Sequence, residues 1–166
     1  MGMNRGTDRN DGKGPVRCAD LYAGKDTNRG GIVPNGIHPI FVYGSLLPGL
    51  ENAHYLWPYA LSEPVPGTVR GRLVEADGYP ALLLAPWSAP PESSVRGLWT
   101  QVDRDTLREL DRLEDFFGAE EMNDYDRVWV RDANQVDLAG WTYVWPNARG
   151  RPAVSGDWWP DARRRP

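Results

Sequence analysis

Metal-binding and redox-active side chains are scarce in this chain of 166 residues. It has one cysteine, Cys18, and two histidines, His38 and His54. A single cysteine excludes an internal disulfide and a thiolate metal cluster, and two histidines cannot complete an ordinary zinc site by themselves. We therefore expect a protein that uses no metal and no other cofactor.

Long apolar runs and an excess of positive charge are also missing. No apolar run approaches the ~18 residues of a membrane span, and the first residues lack the apolar centre of a signal peptide. The net charge is -4, and the basic residues are scattered among acids. This distribution argues against nucleic-acid or membrane binding. We therefore expect a cytoplasmic protein. GxGxxG, Walker and GxSxG motifs are absent too, so the usual signatures of nucleotide binding and of a serine-hydrolase elbow are missing.

The composition of the chain divides it into three parts. Residues 1–36 hold eight glycines and few large apolar groups, which predicts a flexible leader. Cys18 lies in this leader, so we expect no catalytic role for its thiol. Residues 37–160 contain the apolar patterns of one folded domain, and residues 161–166 form an Arg-rich tail.

The folded part contains more strand patterns than helix patterns. Six segments are apolar or alternating and rich in β-formers: 39–43, 67–76, 79–85, 93–102, 125–131 and 139–145. Turn signals at Asp77-Gly78 and Pro90-Pro91 separate some of them, and "LENAHYLW" predicts a short helix that Pro58 ends. On the last strand, Trp141, Tyr143 and Trp145 share one face. Since strands and helices do not alternate regularly, we expect an α+β domain whose twisted mixed sheet curls toward a barrel with flanking helices.

One helix carries an acid inside its apolar stripe. The pattern "LRELDRLEDFF" predicts a helix with an N-cap at Asp103, an end at Gly118, and Leu107, Leu110, Leu113 and Phe117 on one side. Glu114 falls within the same stripe. A carboxylate at this position has three possible environments: water at the edge of the stripe, an ion pair with an arginine such as Arg72 or Arg127, or a functional pocket.

The segment "VYGSL" follows the first predicted strand directly. A Gly-Ser turn at the end of a buried strand exposes successive backbone N–H groups, which suit a carboxylate or a developing oxyanion. A plain structural turn has the same pattern. A Ser-His-acid triad that joins Ser45 to His54 stays formally open, although no spacing supports it.

Five motifs resemble one family when they are taken together. "FVYGSLLPG", "YPAL", "LDRLE", "YDRVWV" and "SGDW" occur in an order and at spacings similar to those of the γ-glutamylcyclotransferase-like family, which includes γ-glutamylamine cyclotransferases and AIG2-like proteins. The resemblance covers about residues 39–159. It implies a small mixed β-barrel with flanking helices. It also implies an enzyme that releases an amine from a γ-glutamyl amide while the glutamyl part leaves as 5-oxoproline.

The resemblance also assigns roles to particular residues. It places the substrate-binding loop at Tyr43, Gly44, Ser45 and Leu46, and the catalytic carboxylate at Glu114. Tyr125 is the further expected substrate contact. Ten residues separate it from Glu114, and this separation is longer than in the family pattern.

The expected chemistry needs a base and an acid but no protein nucleophile. The α-amine of a γ-glutamyl amide can close a five-membered ring on the δ-carbonyl once a base has removed its extra proton. One carboxylate with a raised pKa can take that proton and later give it to the departing amine. Two alternatives stay open: a hydrolase in which Glu114 activates water, and a non-catalytic protein that binds γ-glutamyl compounds.

The identity of the leaving amine is suggested by local charge. Residues 111–126 contain seven acids and one base. This segment is either a solvated acidic loop or a loop that overhangs the pocket and attracts cations. In the second case the substrate is a cationic γ-glutamyl amine, such as a polyamine or an aminoglycoside intermediate, and the family has a precedent in aminoglycoside biosynthesis.

Overall fold

The computed structural model of the protein describes residues 36–86, 93–118 and 122–164. The described parts contain six strands, one three-turn helix, one single-turn helix, and two 3-10 helices between the first two strands. They are β1 (His38–Val42), the 3-10 helices Ala53–Tyr55 and Trp57–Tyr59, β2 (Val65–Ala76), β3 (Tyr79–Leu84), β4 (Ser94–Val102), α1 (Arg104–Leu113), β5 (Asp126–Arg131), β6 (Ala139–Val144) and α2 (Trp159–Ala162). The expectation of an α+β domain with more strands than helices is confirmed.

The strands form one mixed sheet in the order β3-β2-β4-β1-β6-β5. Only β1 and β6 run parallel, and the other neighbours are antiparallel. The sheet curls until β3 approaches the end of β6, where Trp145 N–H donates to Leu82 C=O over 3.0 Å. The sheet is therefore a half-closed barrel, as expected.

Strand β2 forms the corner of this barrel because it changes partner at its middle. Residues 65–70 pair with β4, and residues 71–76 pair with β3. The change falls at Gly71, whose missing Cβ would lie 2.4 Å from the Leu83 carbonyl oxygen. A glycine is required there because the two backbones approach too closely for any side chain.

Helix α1 covers one mouth of the curled sheet. Asp103 caps it as predicted, with its carboxylate accepting from Thr106 N–H over 2.7 Å. Leu107 and Leu110 are fully buried against Tyr143 and Trp145 of the sheet. The predicted apolar stripe and the predicted aromatic face of β6 thus pack on each other.

The end of α1 differs from its prediction. Phe116 N–H donates to Asp111 C=O and Asp115 N–H to Arg112 C=O, while Asp115 adopts a left-handed conformation with φ 50°. This pair of bonds is a Schellman motif. Asp115 therefore ends the helix in place of Gly118, and Glu114 becomes the C-cap residue rather than part of the stripe. Phe117, expected on the apolar side, is 61% exposed.

Two further predictions meet the structure in different ways. The predicted helix "LENAHYLW" is replaced by the two 3-10 helices, and Pro58 lies inside the second because a first-turn proline loses no hydrogen bond there.

The Asp77-Gly78 turn is confirmed, with positive φ at both residues as a type I′ hairpin requires. The Pro90-Pro91 turn and residues 1–35 lie outside the described residues. In the described ranges no helix is long and apolar enough to cross a membrane.

Residues near the predicted domain end contact the rest of the fold. Helix α2 extends past residue 160 to Ala162. Arg163, in the predicted Arg-rich tail, forms an ion pair with Glu51.

Candidate active site

A cavity of about 630 Å³ opens at the end of β1, between its following loop, the end of α1 and the β2–β3 hairpin. All six residues that the sequence placed in a site line it: Tyr43, Gly44, Ser45, Leu46, Glu114 and Tyr125. The fold therefore brings residues that are up to 82 positions apart into one space.

The loop after β1 provides free backbone donors. Leu47 N–H donates to Gly44 C=O over 2.9 Å, which closes a tight turn. The N–H groups of Gly44, Ser45 and Leu46 donate to no backbone or side-chain acceptor within the described residues. Consecutive unpaired N–H groups of this kind, which we call the nest, can bind an anionic oxygen.

The Ser45 side chain is held by the loop itself. Asn52 donates to Ser45 Oγ from its side chain and to Ser45 C=O from its backbone, both over 3.0 Å. His54 is exposed and directs Nδ1 to Glu51 C=O, and His38 stands at the opposite end of β1. The structure therefore does not assemble the Ser-His-acid triad that the sequence had left open.

Ser45→Ala should lower kcat/KM only a few-fold, because it removes one partly buried neutral hydrogen bond worth about 1 kcal/mol. Asn52→Ala removes the same bond from the other side and is the matched control, so the two variants should lose similar activity in a steady-state assay. A much larger loss in Ser45→Ala would mean that the hydroxyl acts on the substrate.

The Tyr43 hydroxyl joins two strands of the barrel. It donates to Tyr143 C=O over 2.9 Å and accepts from Leu82 N–H over 3.1 Å. The residue is buried, and burial raises the pKa of its hydroxyl. Because these strand contacts use the hydroxyl, the Tyr43 side chain supports the wall of the cavity.

Glu114 lines the cavity at the end of α1 and carries a raised pKa. Burial raises the pKa of its carboxyl from 4.5 to about 7, and the negative charges of Asp124 and Asp115 add to the effect. No side chain in the described ranges forms a hydrogen bond or ion pair with this carboxylate. Arg127 pairs with Asp111 instead, and Arg72 lines a different cavity. The arginine pairings considered from the sequence are therefore not formed.

The network around Asp111 fixes the end of α1. Arg127 Nη1 donates to both Asp111 carboxylate oxygens over 2.8 and 2.6 Å, and the Tyr143 hydroxyl donates to one of them over 2.8 Å. The Arg127 guanidinium lies 5.0 Å from the ring centres of both Phe116 and Trp141. Because Asp111 is one helical turn before Glu114, these contacts hold the glutamate over the cavity.

Tyr125 reaches the cavity despite the long connection from Glu114. Tyr125 N–H donates to Glu114 C=O over 3.3 Å, and Asp124 N–H donates to Asp115 C=O over 3.2 Å. These two backbone hydrogen bonds place Asp124 and Tyr125 directly beside the end of α1. The Tyr125 hydroxyl donates to Pro80 C=O over 3.3 Å, and its ring packs 5.7 Å from that of Trp145.

Asp115→Asn should lower the pKa of Glu114, because it removes one of the charges that raise this pKa while asparagine tolerates the left-handed conformation. The acidic limb of the kcat/KM–pH profile should move to lower pH, with the melting temperature nearly unchanged. Asp105→Asn, in the exposed first turn of α1, is the control and should not move it. If the acidic limb is unchanged in Asp115→Asn, the group whose titration produces this limb is not Glu114.

Several lining residues were not identified from the sequence as site residues. They include Asn52, Tyr143, Trp145 and Arg149. Tyr143 and Trp145 had been placed on one strand face, and their alternation was the signal that could have marked them. Asn52 and Arg149 lie in loops without any period. Among the described residues there is also no cluster of three or more His, Cys, Asp or Glu side chains that could hold a metal.

The fold and the cavity define a class of protein: a half-closed mixed β-barrel whose cavity is lined by unpaired backbone N–H groups and a partly buried glutamate without a side-chain partner in the described residues. The family model described as "Gamma-glutamyl cyclotransferase, AIG2-like" matches residues 40–160. The chain belongs to this family, and the resemblance seen in the five motifs is confirmed.

Individual relatives agree with this assignment. The "Gamma-L-glutamyl-butirosin B gamma-glutamyl cyclotransferase" of Niallia circulans is 36% identical over 110 residues, which are 64% of this chain and 65% of that relative. The match thus spans slightly under two thirds of the relative. The PH0828 protein of Pyrococcus horikoshii has a similar structure, with TM-score 0.55, 18% identity, and coverage of 76% of this chain and 92% of that one. An AIG2-like protein from Mus musculus gives TM-score 0.55 at 23% identity, over 70% and 85% of the two chains. These two structures support the fold.

Proposed function

We propose that the protein is a γ-glutamyl cyclotransferase that converts a γ-glutamyl amide to 5-oxoproline and a free amine. One observation carries the proposal: an unpaired glutamate with a pKa near 7 shares a cavity with three unpaired backbone N–H groups. A base and an oxyanion site are the two elements that this cyclisation needs.

The proposed reaction begins with a proton transfer to Glu114. The ionised carboxylate takes a proton from the substrate α-ammonium, and the resulting amine attacks the δ-carbonyl carbon. The N–C bond that forms closes a five-membered ring, and the carbonyl oxygen becomes an oxyanion that the N–H groups of Gly44, Ser45 and Leu46 stabilise. Protonated Glu114 then donates its proton to the leaving nitrogen, and the amide C–N bond breaks. The ring nitrogen loses its remaining extra proton to the freed amine, which leaves as an ammonium, and Glu114 is again a carboxylate.

The pKa of Glu114 suits both steps of this cycle. A group acts best as base and then as acid when its pKa lies near the working pH. A glutamate with an ordinary pKa would be a weak base toward an ammonium, whereas one at about 7 is ionised in a large fraction of molecules and is still a better base. The same carboxylate can therefore serve both transfers without a second titrating residue.

We propose that the amine released is an aminoglycoside or an aminoglycoside intermediate. Support comes from the Niallia circulans relative, whose name specifies γ-L-glutamyl-butirosin B. It also comes from the cavity, whose lining includes the solvent-exposed side chains of Asp77, Asp124 and Arg151 and so leaves room for a large amine at that edge.

A substrate panel tests this function. The protein should be incubated with γ-glutamyl amides of an aminoglycoside, a polyamine, an alkylamine and an amino acid, with products followed by mass spectrometry. We expect 5-oxoproline, with the highest kcat/KM for the aminoglycoside amide. Release of glutamate would instead favour the hydrolase, and saturable binding without any product would favour the non-catalytic alternative.

A further inference from the structure

The outer edge of the cavity is formed by two aspartate–arginine pairs, which we call the rim: Asp77, Asp124, Arg149 and Arg151. Arg149 Nη1 donates to Asp124 Oδ1 over 2.5 Å, and Arg149 Nη2 donates to Asp124 C=O over 2.6 Å. Arg151 Nη2 donates to Asp77 Oδ2 over 2.5 Å. The rim therefore presents carboxylate oxygens and guanidinium N–H groups side by side.

The rim lies on the solvent side of the cavity. Its four side chains are between 35% and 77% exposed, whereas Tyr43 and Leu46 at the inner end are 6% and 4% exposed. On the proposed function, the γ-glutamyl group occupies the inner end beside the nest and Glu114. The leaving amine, which must depart to solvent, then lies against the rim.

The charges of the rim cancel. The acidic stretch 111–126 suggested a negative entrance, but Arg127 neutralises Asp111 and Arg149 neutralises Asp124. Residues 119–121 lie outside the described residues and are not counted. Three acids and two arginines line the described cavity, so its lining carries a single negative charge when Glu114 is ionised, and Asp115 adds one more beside Glu114.

One rim arginine is held firmly in place. The Arg149 guanidinium lies 4.1 Å from the ring centre of Trp145, and that ring packs against Tyr125. A guanidinium stacked on a buried indole loses little freedom when a ligand binds, so its remaining N–H groups are preorganised donors.

We infer that the rim forms hydrogen bonds with hydroxyl groups on the leaving amine. Substrates whose amine carries several hydroxyls, such as aminosugars and aminocyclitols, are therefore preferred over those of polyamines. A hydroxyl both donates and accepts, and an aspartate–arginine pair supplies one acceptor and one donor next to each other. A polyamine ammonium only donates, and it meets a guanidinium beside each rim carboxylate. This inference rests on the proposed function and names the chemical feature that selects its substrate.

The test compares three γ-glutamyl amides whose amines differ in the polar groups they carry: those of glucosamine, putrescine and butylamine. For the wild-type protein, kcat/KM for the glucosamine amide should exceed both others by about 10-fold, the value of one good charge-assisted hydrogen bond. Two rim variants remove a guanidinium: Arg149→Asn, which keeps a residue that tolerates the φ of 48° found there, and Arg151→Gln. Each should bring the glucosamine-to-butylamine ratio toward one, mainly through a higher KM for the glucosamine amide.

The matched control is Arg108→Gln, which breaks an exposed aspartate–arginine pair on α1 away from the cavity. It should keep the wild-type ratio. A preference for the putrescine amide that weakens with salt would overturn the inference and show selection by charge attraction. Equal kcat/KM for all three amides would also overturn it, because the rim would then make no selective contact with the amine. Either result still yields 5-oxoproline, whereas absence of 5-oxoproline from every amide would overturn the proposed function itself.

Discussion

Glu114→Gln should lower kcat by at least about 100-fold, which is the usual contribution of a general acid–base group. Glutamine keeps the size of the side chain but can neither accept the proton of the substrate ammonium nor donate one to the leaving amine. The measurement is steady-state formation of 5-oxoproline. Glu109→Gln is the matched control, because Glu109 lies on the exposed side of the same helix and pairs with Arg112.

The same variant should be more stable than the wild type at alkaline pH. Folding raises the pKa of the Glu114 carboxyl from 4.5 to about 7, so ionisation of this group destabilises the folded protein. This destabilisation is absent below pH 4.5, grows as the pH rises from 4.5 to about 7, and is complete at higher pH. The melting temperatures of wild type and Glu114→Gln should therefore converge near about pH 4 and separate near about pH 8. Wild-type turnover in Glu114→Gln would remove Glu114 from the mechanism, and a variant less stable at every pH would show that its carboxylate has a structural role.

Gly44→Val should abolish measurable activity and lower the melting temperature. A Cβ on Gly44 would lie 2.7 Å from Pro80 Cγ and 3.3 Å from Pro80 Cδ, so the loop or the proline ring has to move. Movement of the loop displaces the N–H nest, and movement of Pro80 displaces the carbonyl that accepts from the Tyr125 hydroxyl. Glycine can therefore be required here for two reasons: close approach of the loop backbone to the ligand, and packing against Pro80.

A double variant separates these two reasons. Gly44→Ala alone should reduce kcat/KM by about 10-fold or more, since overpacking costs about 1–3 kcal/mol. Adding Pro80→Ala removes the ring atoms that the new Cβ meets, so it should restore part of the lost activity and show non-additive coupling. Activity losses that simply add would point to the ligand, rather than Pro80, as the neighbour that requires glycine.

Local signals in the sequence were sufficient for most elements of the fold. The N-cap at Asp103 follows from a side chain that can accept a backbone N–H, and the Asp77-Gly78 hairpin follows from two residues that tolerate positive φ. The end of α1 could not be predicted in the same way. An aspartate took the left-handed position that glycine usually occupies, and the backbone contacts of Asp124 and Tyr125 across the loop reinforce that turn.

The candidate site was accessible from sequence only in part. The resemblance supplied Glu114 and the Gly44 loop because those residues belong to short motifs. Arg149 could not be found in this way, because its place beside Trp145 and Asp124 depends on how two distant loops meet. The rim is therefore a product of tertiary structure, and its proposed role in selecting the amine could be formulated only from the folded chain.

The most direct test of cyclisation is to run the reaction in water enriched in oxygen-18. Attack by the substrate's own α-amine puts no solvent oxygen into the product, so we predict unlabelled 5-oxoproline in an amount equal to the amine released. Glu114→Gln should form neither product at a measurable rate. Glutamate that carries one oxygen-18 atom, formed in step with the amine, would mean that Glu114 activates water and would contradict the cyclotransferase mechanism.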